Sequence, residues 1–404
     1  MRISRIVAPV AAACALASCD VSTTNPGAIT DDYLDSPAAH QGLVNGMSRS
    51  LSRALNYVAL TGSGQAREVV ASGGTVFGFT IKQRTIGLLD PAPEETNDHW
   101  QFAQQARWVS EDGVRRLRSS LGNGFASSSL AAQALNHVGY ANRLLGENMC
   151  QAVIDGGPAE PRSVYFSRAQ AAFTEALTIA SAANDAASTN AARAGRAGVR
   201  AWLGDWAGAA ADGTLVPATF VYQIRYSAVE LDQYNRIFWA SGNEPFRGHT
   251  VAGTFFESYY ASTGDPRVPW KRNASVPLAP LGNPWFIQAK FDKRDAPMNL
   301  ASGAEMRLIL AEALLRSGDW QSALARINER RIQLGLPGWT ATNSTEAWSA
   351  LKRERSIELW LEGRRLGDLF RWIEAKTPGD MEDMTGRSLC FPIGQTELTS
   401  NPNV

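Results

Sequence analysis

The chain has 404 residues, and its 39 Lys and Arg residues balance its 39 Asp and Glu residues. Nucleic acid binds through a dense excess of Lys and Arg, so this composition argues against nucleic acid and against polyanionic ligands. The length is ample for a sizeable core, arranged as one large domain or two.

The first 18 residues have the pattern of a secretory signal peptide. Arg2 and Arg5 precede an apolar run over 6–16, which is far shorter than the ~20 residues that a membrane-spanning helix needs. The run ends in the sequence L-A-S-C, which looks like a bacterial lipobox with cleavage before Cys19 and acylation of its thiol. We therefore predict a lipoprotein signal peptide over 1–18 and a lipid anchor at Cys19. An ordinary signal peptide is the alternative.

The next part of the chain alternates between polar stretches and amphipathic patterns. Residues 19–37 have no periodicity and predict a flexible tether, and residues 61–98 are rich in Gly and Pro and predict an irregular surface segment. Helices are predicted over Ala38–Leu60, His99–Leu121, Ser129–Cys150, Tyr165–Ala183 and Ala191–Gly204.

Two helical pairs have the anatomy of tetratricopeptide units. In the sequence from Gly303, apolar residues recur at helical spacing on both sides of Gly318-Asp319, which predicts two antiparallel helices joined by a tight turn. The sequence around Gly204-Asp205 repeats this turn. A further helix is predicted over Leu351–Ile373. The fold class is therefore mainly α, a tetratricopeptide-like helical scaffold within one domain over 38–404.

A loop-rich insertion over 217–300 separates the two units, and we predict mostly loop there with some short strands. It contains 15 of the 36 aromatic residues of the chain. Loops on a rigid scaffold often carry binding residues, and flat rings suit the apolar faces of sugars. Trp239, Trp270 and Trp285 each have polar neighbours in the sequence and are the predicted ligand-binding residues. Packing of these rings onto the helices is the alternative, and the segment 61–98 is the next candidate.

The order of short motifs in the last hundred residues resembles the SusD/RagB family of nutrient-binding lipoproteins. The matching residues are Glu305, Arg307, Ala311-Glu312-Ala313, Gly318-Asp319, Ala323, Ile327-Asn328, Arg331, Glu354-Arg355, Glu358-Leu359, Glu362-Gly363, Arg365, Asp368-Leu369, Arg371-Trp372, Pro392-Ile393, Glu397 and Asn401-Pro402-Asn403. The resemblance implies a surface-exposed, lipid-anchored outer-membrane protein. It would bind an oligosaccharide or a peptide and deliver it to a SusC-like TonB-dependent barrel, without catalysis. Asp20 leaves the inner membrane open as the site of anchoring.

Two cysteines remain after the leader and the lipid-anchored residue are set aside. Cys150 and Cys390 form an even pair in a chain directed to an oxidising compartment, so we predict a disulfide between them. Two separately buried thiols are the alternative. No cluster of His and Cys has the spacing of a zinc site, and no nucleotide-binding motif is present, so no metal or cofactor is predicted.

Three carboxylates at Glu354, Glu358 and Glu362 share one face of the predicted helix. A glycoside hydrolase would use two such groups as acid and nucleophile. The arginines beside them in the sequence instead favour ion-paired packing, and the same holds for Glu305 and Glu312. The remaining alternatives for function are a repeat scaffold that binds only protein and, less favoured, a secreted helical glycoside hydrolase.

Overall fold

The computed structural model describes residues 31–73, 87–90, 94–242 and 247–404. The predicted signal peptide and Cys19 lie outside the described residues, as does most of the predicted tether. The part of the tether that is described contains a short helix, α1 (Asp31–Leu34). It is held to the body by Arg116, whose guanidinium lies 2.6 Å from the Asp31 carboxylate and 3.0 Å from that of Asp35.

Helices dominate the described part of the chain. After α1 they are α2 (His40–Gln65), α3 (Glu94–Leu121), α4 (Ser129–Asn148), α5 (Ser163–Ala182), α6 (Ala186–Trp202), α7 (Trp206–Thr214), α8 (Phe255–Thr263), α9 (Gly303–Arg316), α10 (Trp320–Gln333), α11 (Ser344–Glu358), α12 (Arg365–Glu374) and α13 (Gln395–Ser400). None of these helices is both long and apolar enough to cross a membrane. From α2 to α7 each helix packs against the next, and α9 packs against α7, α10 and α11.

The predicted tight turns are present in both helical pairs. Gly318 between α9 and α10 has φ +90°, and Gly204 between α6 and α7 has φ +79°, a region that glycine enters without strain. The aspartate after each glycine caps the second helix, because Asp319 accepts a hydrogen bond from Ser322 N and Asp205 accepts one from Gly208 N. The sequence therefore predicts these two turns correctly because their chemistry is local.

Small residues let neighbouring helices approach closely at Phe173, which is fully buried on α5. A Cβ atom on Gly139 of α4 would lie 2.4 Å from the Phe173 ring, and one on Gly195 of α6 would lie 2.3 Å from it. The ring thus fills a gap that exists only because both neighbours lack side chains.

The predicted helix over Leu351–Ile373 is wrong in one respect, because the structure divides it into α11 and α12. Between them Leu361 has φ +62° and Gly363 has φ +70°, so the chain leaves the helical conformation. The backbone N–H of Leu361 donates to the carboxylate of Glu68, at 2.9 Å. A Cβ on Gly363 would lie 3.4 Å from Ala59 of α2. Contacts from the N-terminal half of the chain therefore stabilise the break.

The insertion over 217–300 contains short strands and one helix. The strands of the described chain are β1 (Val70–Ala71), β2 (Gln151–Ala152), β3 (Glu160–Pro161), β4 (Val221–Ile224), β5 (His249–Thr250), β6 (Trp270–Arg272), β7 (Phe286–Gln288) and β8 (Met298–Ser302). They pair as antiparallel ribbons β1–β5, β2–β3, β4–β8 and β6–β7. Two of these ribbons tie the insertion to the rest of the fold, since β5 pairs with β1 and β8 leads directly into α9. The insertion is therefore packed onto the helices rather than suspended from them.

Candidate functional site

Trp239 lies half-buried on a single π-helical turn, Phe238–Gly242. Its ring centroid is 5.3 Å from that of Tyr234. The guanidinium of Arg294 lies 4.8 Å from the Tyr234 ring and 5.4 Å from the Trp239 ring. Arg294 is exposed and forms no ion pair with any residue that the structure describes. We call Tyr234, Trp239 and Arg294 the Trp239 cluster.

Two fully buried asparagines hold the Trp239 cluster in place. Asn235 accepts a hydrogen bond from Phe238 N at 3.1 Å and donates to the carbonyl of Ala296 at 2.9 Å. Asn56 of α2 donates to the carbonyl of Tyr234 and accepts from Arg236 N at 2.8 Å. The π-helical turn is therefore fixed both to the helical scaffold and to the strand side of the insertion.

A second group of rings and arginines lies next to the first. The guanidinium of Arg236 lies 3.7 Å above the Tyr57 ring and donates to its hydroxyl. Tyr57 contacts Phe102, with ring centroids 4.7 Å apart, and Arg53 lies 3.7 Å above Phe102. Burial lowers the pKa of Arg236, while Tyr57 and Asp98 act in the opposite direction. Arginine above an aromatic face is a favourable pair, and here two such pairs extend the surface of the Trp239 cluster towards α2 and α3.

Chemically, the Trp239 cluster offers a flat ring with partial access to solvent and a planar cation beside it. An indole face suits the C–H face of a sugar ring, and a guanidinium donates several hydrogen bonds to hydroxyl or carboxylate oxygens. Neither group supplies a nucleophile or an acid. The arrangement is suited to binding rather than to bond cleavage.

The structure places the other two predicted tryptophans elsewhere. Trp270 is half-buried and stacks on Phe286 at 4.7 Å, and its indole N–H donates to the carbonyl of Glu257 at 3.1 Å. Trp285 is 1% exposed and packs with Ala279 and Ile287 in a small cluster. A ring with so little exposure cannot present a face to a ligand, so the binding role predicted for Trp285 is wrong: the ring serves the core.

The carboxylates of α11 are held by arginines, but the arginines come from other elements. Glu354 accepts from Arg331 at 3.2 Å and from Trp339 Nε1 at 2.8 Å, and Arg267 lies 2.5 Å from Glu354 and 2.8 Å from Glu358. The sequence instead favours ion pairs between these carboxylates and the arginines next to them in the chain. Arg267, a neighbour of Trp270 in the sequence, is almost fully buried in this network.

Around α9 the partners come both from other helices and from α9 itself, because Glu312 also lies 3.1 Å from Arg316. Glu305 lies 2.6 Å from Arg143 of α4, and Glu312 lies 2.5 Å from Arg371 of α12. Burial alone would raise the pKa of both carboxyls, and the facing arginines lower it below the usual value. These carboxylates are therefore charged and bound to arginine within the described chain.

Cys150 and Cys390 are joined by a disulfide, with their Cα atoms 5.1 Å apart. Beside it Met149 and Phe391 form a parallel bridge, and Cys150 N donates to the carbonyl of Phe391 at 2.9 Å. The bond fixes the C-terminal tail to the end of α4. Among the described residues no group of three or more His, Cys, Asp or Glu side chains is arranged to hold a metal ion.

Known proteins are similar to this chain in sequence over its C-terminal part and in fold over most of its length. Residues 239–404 match the sequence profile of the SusD family. Over these residues the chain is similar to the SusD family, in agreement with the resemblance that its sequence motifs carry. No curated protein sequence matches the chain.

Solved SusD structures extend the similarity of fold to nearly the whole chain. A SusD-like protein from Bacteroides fragilis has a TM-score of 0.71 at 12% identity, with 93% of this chain and 97% of that chain covered. A SusD-like carbohydrate binding protein from Bacteroides vulgatus has a TM-score of 0.67 at 15% identity, covering 91% and 97%. A laminarin binding SusD-like protein has a TM-score of 0.61 at 16% identity, covering 89% and 99%. The tetratricopeptide-like helical scaffold predicted from the sequence is confirmed.

The match to the family profile begins at Trp239 itself. The residues that support Trp239 lie partly outside the matched region, since Asn56, Tyr57 and Phe102 belong to α2 and α3. Sequence reasoning missed them, although Arg53 and Tyr57 have the i, i+4 spacing that places both on one face of α2.

Proposed function

We propose that this SusD/RagB protein is a surface lipoprotein that binds an oligosaccharide at the Trp239 cluster. The observation that carries the proposal is a half-exposed tryptophan, fixed by two buried asparagines and flanked by an arginine that has no carboxylate partner in the described chain. Related folds are those of proteins described as carbohydrate binding and laminarin binding. A sugar ring stacked on Trp239 would receive hydrogen bonds from Arg294 on its edge.

The binding test compares two tryptophans that both have access to solvent. Trp239→Ala removes the ring of the cluster, and Trp108→Ala removes a ring of α3 that is 55% exposed and outside the cluster. Affinity electrophoresis against soluble polysaccharides, with laminarin among them, identifies a ligand first. We then expect Trp239→Ala to weaken its binding about tenfold, which corresponds to about 1.4 kcal/mol, because the variant loses both the stacking and the apolar area that the ring buries. Unchanged binding in Trp239→Ala, or equal loss in both variants, would refute this site.

Binding of peptides is the second outcome of that screen. A peptide ligand would use the same rings together with backbone hydrogen bonds. If a peptide library binds in a Trp239-dependent manner and no polysaccharide does, the site stands and the ligand class changes.

We propose that the chain is anchored at Cys19 after removal of residues 1–18, with 19–37 as a tether and 38–404 as one domain. Two or more acyl chains give stable membrane attachment, because each buried methylene contributes about 0.8 kcal/mol. Metabolic labelling with a palmitate analogue should mark the wild type and not Cys19→Ser. Accessibility of the labelled protein to protease on whole cells then distinguishes the outer surface from the inner membrane.

The partner that we propose is a SusC-like TonB-dependent outer-membrane barrel. The stacked helix pairs offer it a broad and rigid face. An open groove of about 520 Å³ lies on that face between α7, α9 and α10, with Trp206, Leu310 and Leu314 in its lining. A neighbouring reading frame that encodes such a barrel, and copurification of the two proteins, would support the partnership. A tagged protein that copurifies with no barrel from its own outer membrane would count against it.

A further inference from the structure

A polar cleft of about 300 Å³ lies between α2 and the segment 225–233, separate from the Trp239 cluster. Its lining includes Asn45, Arg49, Arg225 and Gln233, and its residues are polar apart from the ring of Tyr226. This volume is at the lower end of the range for small-molecule sites and suits a single sugar residue rather than a longer chain. Arg49 of the cleft lies one helical turn before Arg53, the arginine of α2 that lies above Phe102.

One of the two arginines at the cleft has no ion-pair partner, because both nearby carboxylates lie on the other arginine. Arg49 lies 2.9 Å from Glu230 and 3.1 Å from Asp232, so its charge is neutralised within the cleft wall. Arg225 is exposed and makes no ion pair or hydrogen bond with any residue in the described ranges. A ligand carboxylate would give the Arg225 guanidinium the charged hydrogen-bond partner that it lacks within the described chain.

The cleft wall also contains an amide without a full set of partners. Gln233 is 5% exposed, and its Oε1 accepts from Ser52 Oγ at 2.8 Å, while its Nε2 has no hydrogen-bond partner in the structure. Asn45 is exposed at the rim of the cleft, where its Oδ1 accepts from Gln41 at 3.0 Å. A buried amide without a partner is unfavourable, so a ligand rich in oxygen acceptors would stabilise this wall.

We propose that this cleft is a second ligand site, and that it takes a carboxylate-bearing sugar residue of the uronic-acid type. Arg225 binds the carboxylate, and the amides of Gln233 and Asn45 donate to ring hydroxyls. A neutral sugar would offer Arg225 no carboxylate, and an apolar acid would offer the amides no hydroxyl groups. The inference does not depend on the function proposed for the Trp239 cluster, because no residue is shared between the two sites.

The test measures the affinity of the purified mature protein for methyl glucuronoside and methyl glucoside by ligand-observed NMR, with acetate as a simple carboxylate. We expect the uronate to bind at least tenfold more tightly than the neutral sugar and acetate. Arg225→Gln should abolish that preference and leave the weak binding of the neutral sugar unchanged. Arg330→Gln, on the exposed face of α10, is the matched control and should bind as the wild type.

Two further variants separate this site from the Trp239 cluster. Gln233→Leu keeps the shape of the side chain and should weaken the uronate and the neutral sugar together, whereas Trp239→Ala should leave uronate binding intact. Wild-type affinity in Arg225→Gln, or equal binding of uronate, glucoside and acetate, overturns the inference. Loss of uronate binding in Trp239→Ala would also overturn it, by assigning the acid to the Trp239 cluster.

Discussion

Replacing Glu68 by Gln should change how the stability of the protein depends on pH. Glu68 follows α2, is 1% exposed, and accepts the backbone N–H of Leu361 at the break between α11 and α12. Burial raises the pKa of its carboxyl from 4.5 to about 7, although Arg365 and Lys290 lower it in part. The carboxyl is therefore neutral in the folded protein at a pH where it is already ionised in the unfolded chain.

This difference between the pKa of Glu68 in the folded and unfolded states sets the sign and the size of the change in stability with pH. A carboxyl with a raised pKa binds its proton more tightly in the folded state, so the free energy of unfolding falls as pH rises from 4.5 to about 7. Each unit of pKa corresponds to about 1.36 kcal/mol, so the total loss is roughly 3 kcal/mol, most of it between pH 5 and pH 8. The amide introduced by Glu68→Gln would carry no charge at any pH and would still accept from Leu361.

Urea unfolding of the wild type and Glu68→Gln at pH 5 and pH 8 measures this loss. The difference between the two proteins should shift by about 2–3 kcal/mol in favour of the variant on going to pH 8. Comparing the variants at each pH cancels the contributions of distant titrating groups, because sites far apart act additively. A constant difference between the proteins at both pH values would refute the reasoning.

Other changes probe the remaining features of the fold. Burial lowers the pKa of His137 to about 4, so stability should fall as pH drops from 6.5 to 4, and His137→Gln should remove that acid sensitivity in urea unfolding. Gly195→Ala would place a methyl group 2.3 Å from the Phe173 ring and should cost about 1–3 kcal/mol of stability. Gly204→Ala has open space around it and should show only the smaller backbone cost of its positive φ. Glu358→Gln removes the ion pair between Glu358 and Arg267, so it should lower the melting temperature and leave ligand affinity nearly intact. Lost ligand processing at an unchanged melting temperature would argue for catalysis. Replacing Cys150 and Cys390 by Ala should lower the free energy of unfolding by about 2–4 kcal/mol, and equal stability of the two proteins would contradict a stabilising role for the bond.

The sequence predicts the features whose causes are local and misses those that depend on distant residues. The turns at Gly204 and Gly318 are evident from a glycine and a capping aspartate, which lie within a few residues of each other. The break after α11 is not, because Glu68 stabilises it from the other half of the chain. Periodicity alone continues the helix through such a position.

In the candidate site, too, features that depend on distant residues are not evident from the sequence. Aromatic density in the insertion gives equal weight to Trp239, which is partly accessible, and to Trp285, which lies in the core. What distinguishes the two rings is their surroundings in three dimensions. Trp239 is supported by Asn56 and flanked by Arg294, and neither residue is near it in the sequence.

The disulfide between Cys150 and Cys390 changes what a cut in the chain would do. The bond closes a loop of 240 residues, which contains the whole insertion and both helices of the second tetratricopeptide unit. A protease that cleaves once anywhere inside this loop produces two pieces that remain one covalent molecule. Nicked protein would thus migrate as full-length material on a non-reducing gel and separate only after reduction. A single cut beyond residue 150 that separates α2 from the insertion would therefore leave the Trp239 cluster covalently linked to Asn56, the residue of α2 that supports it.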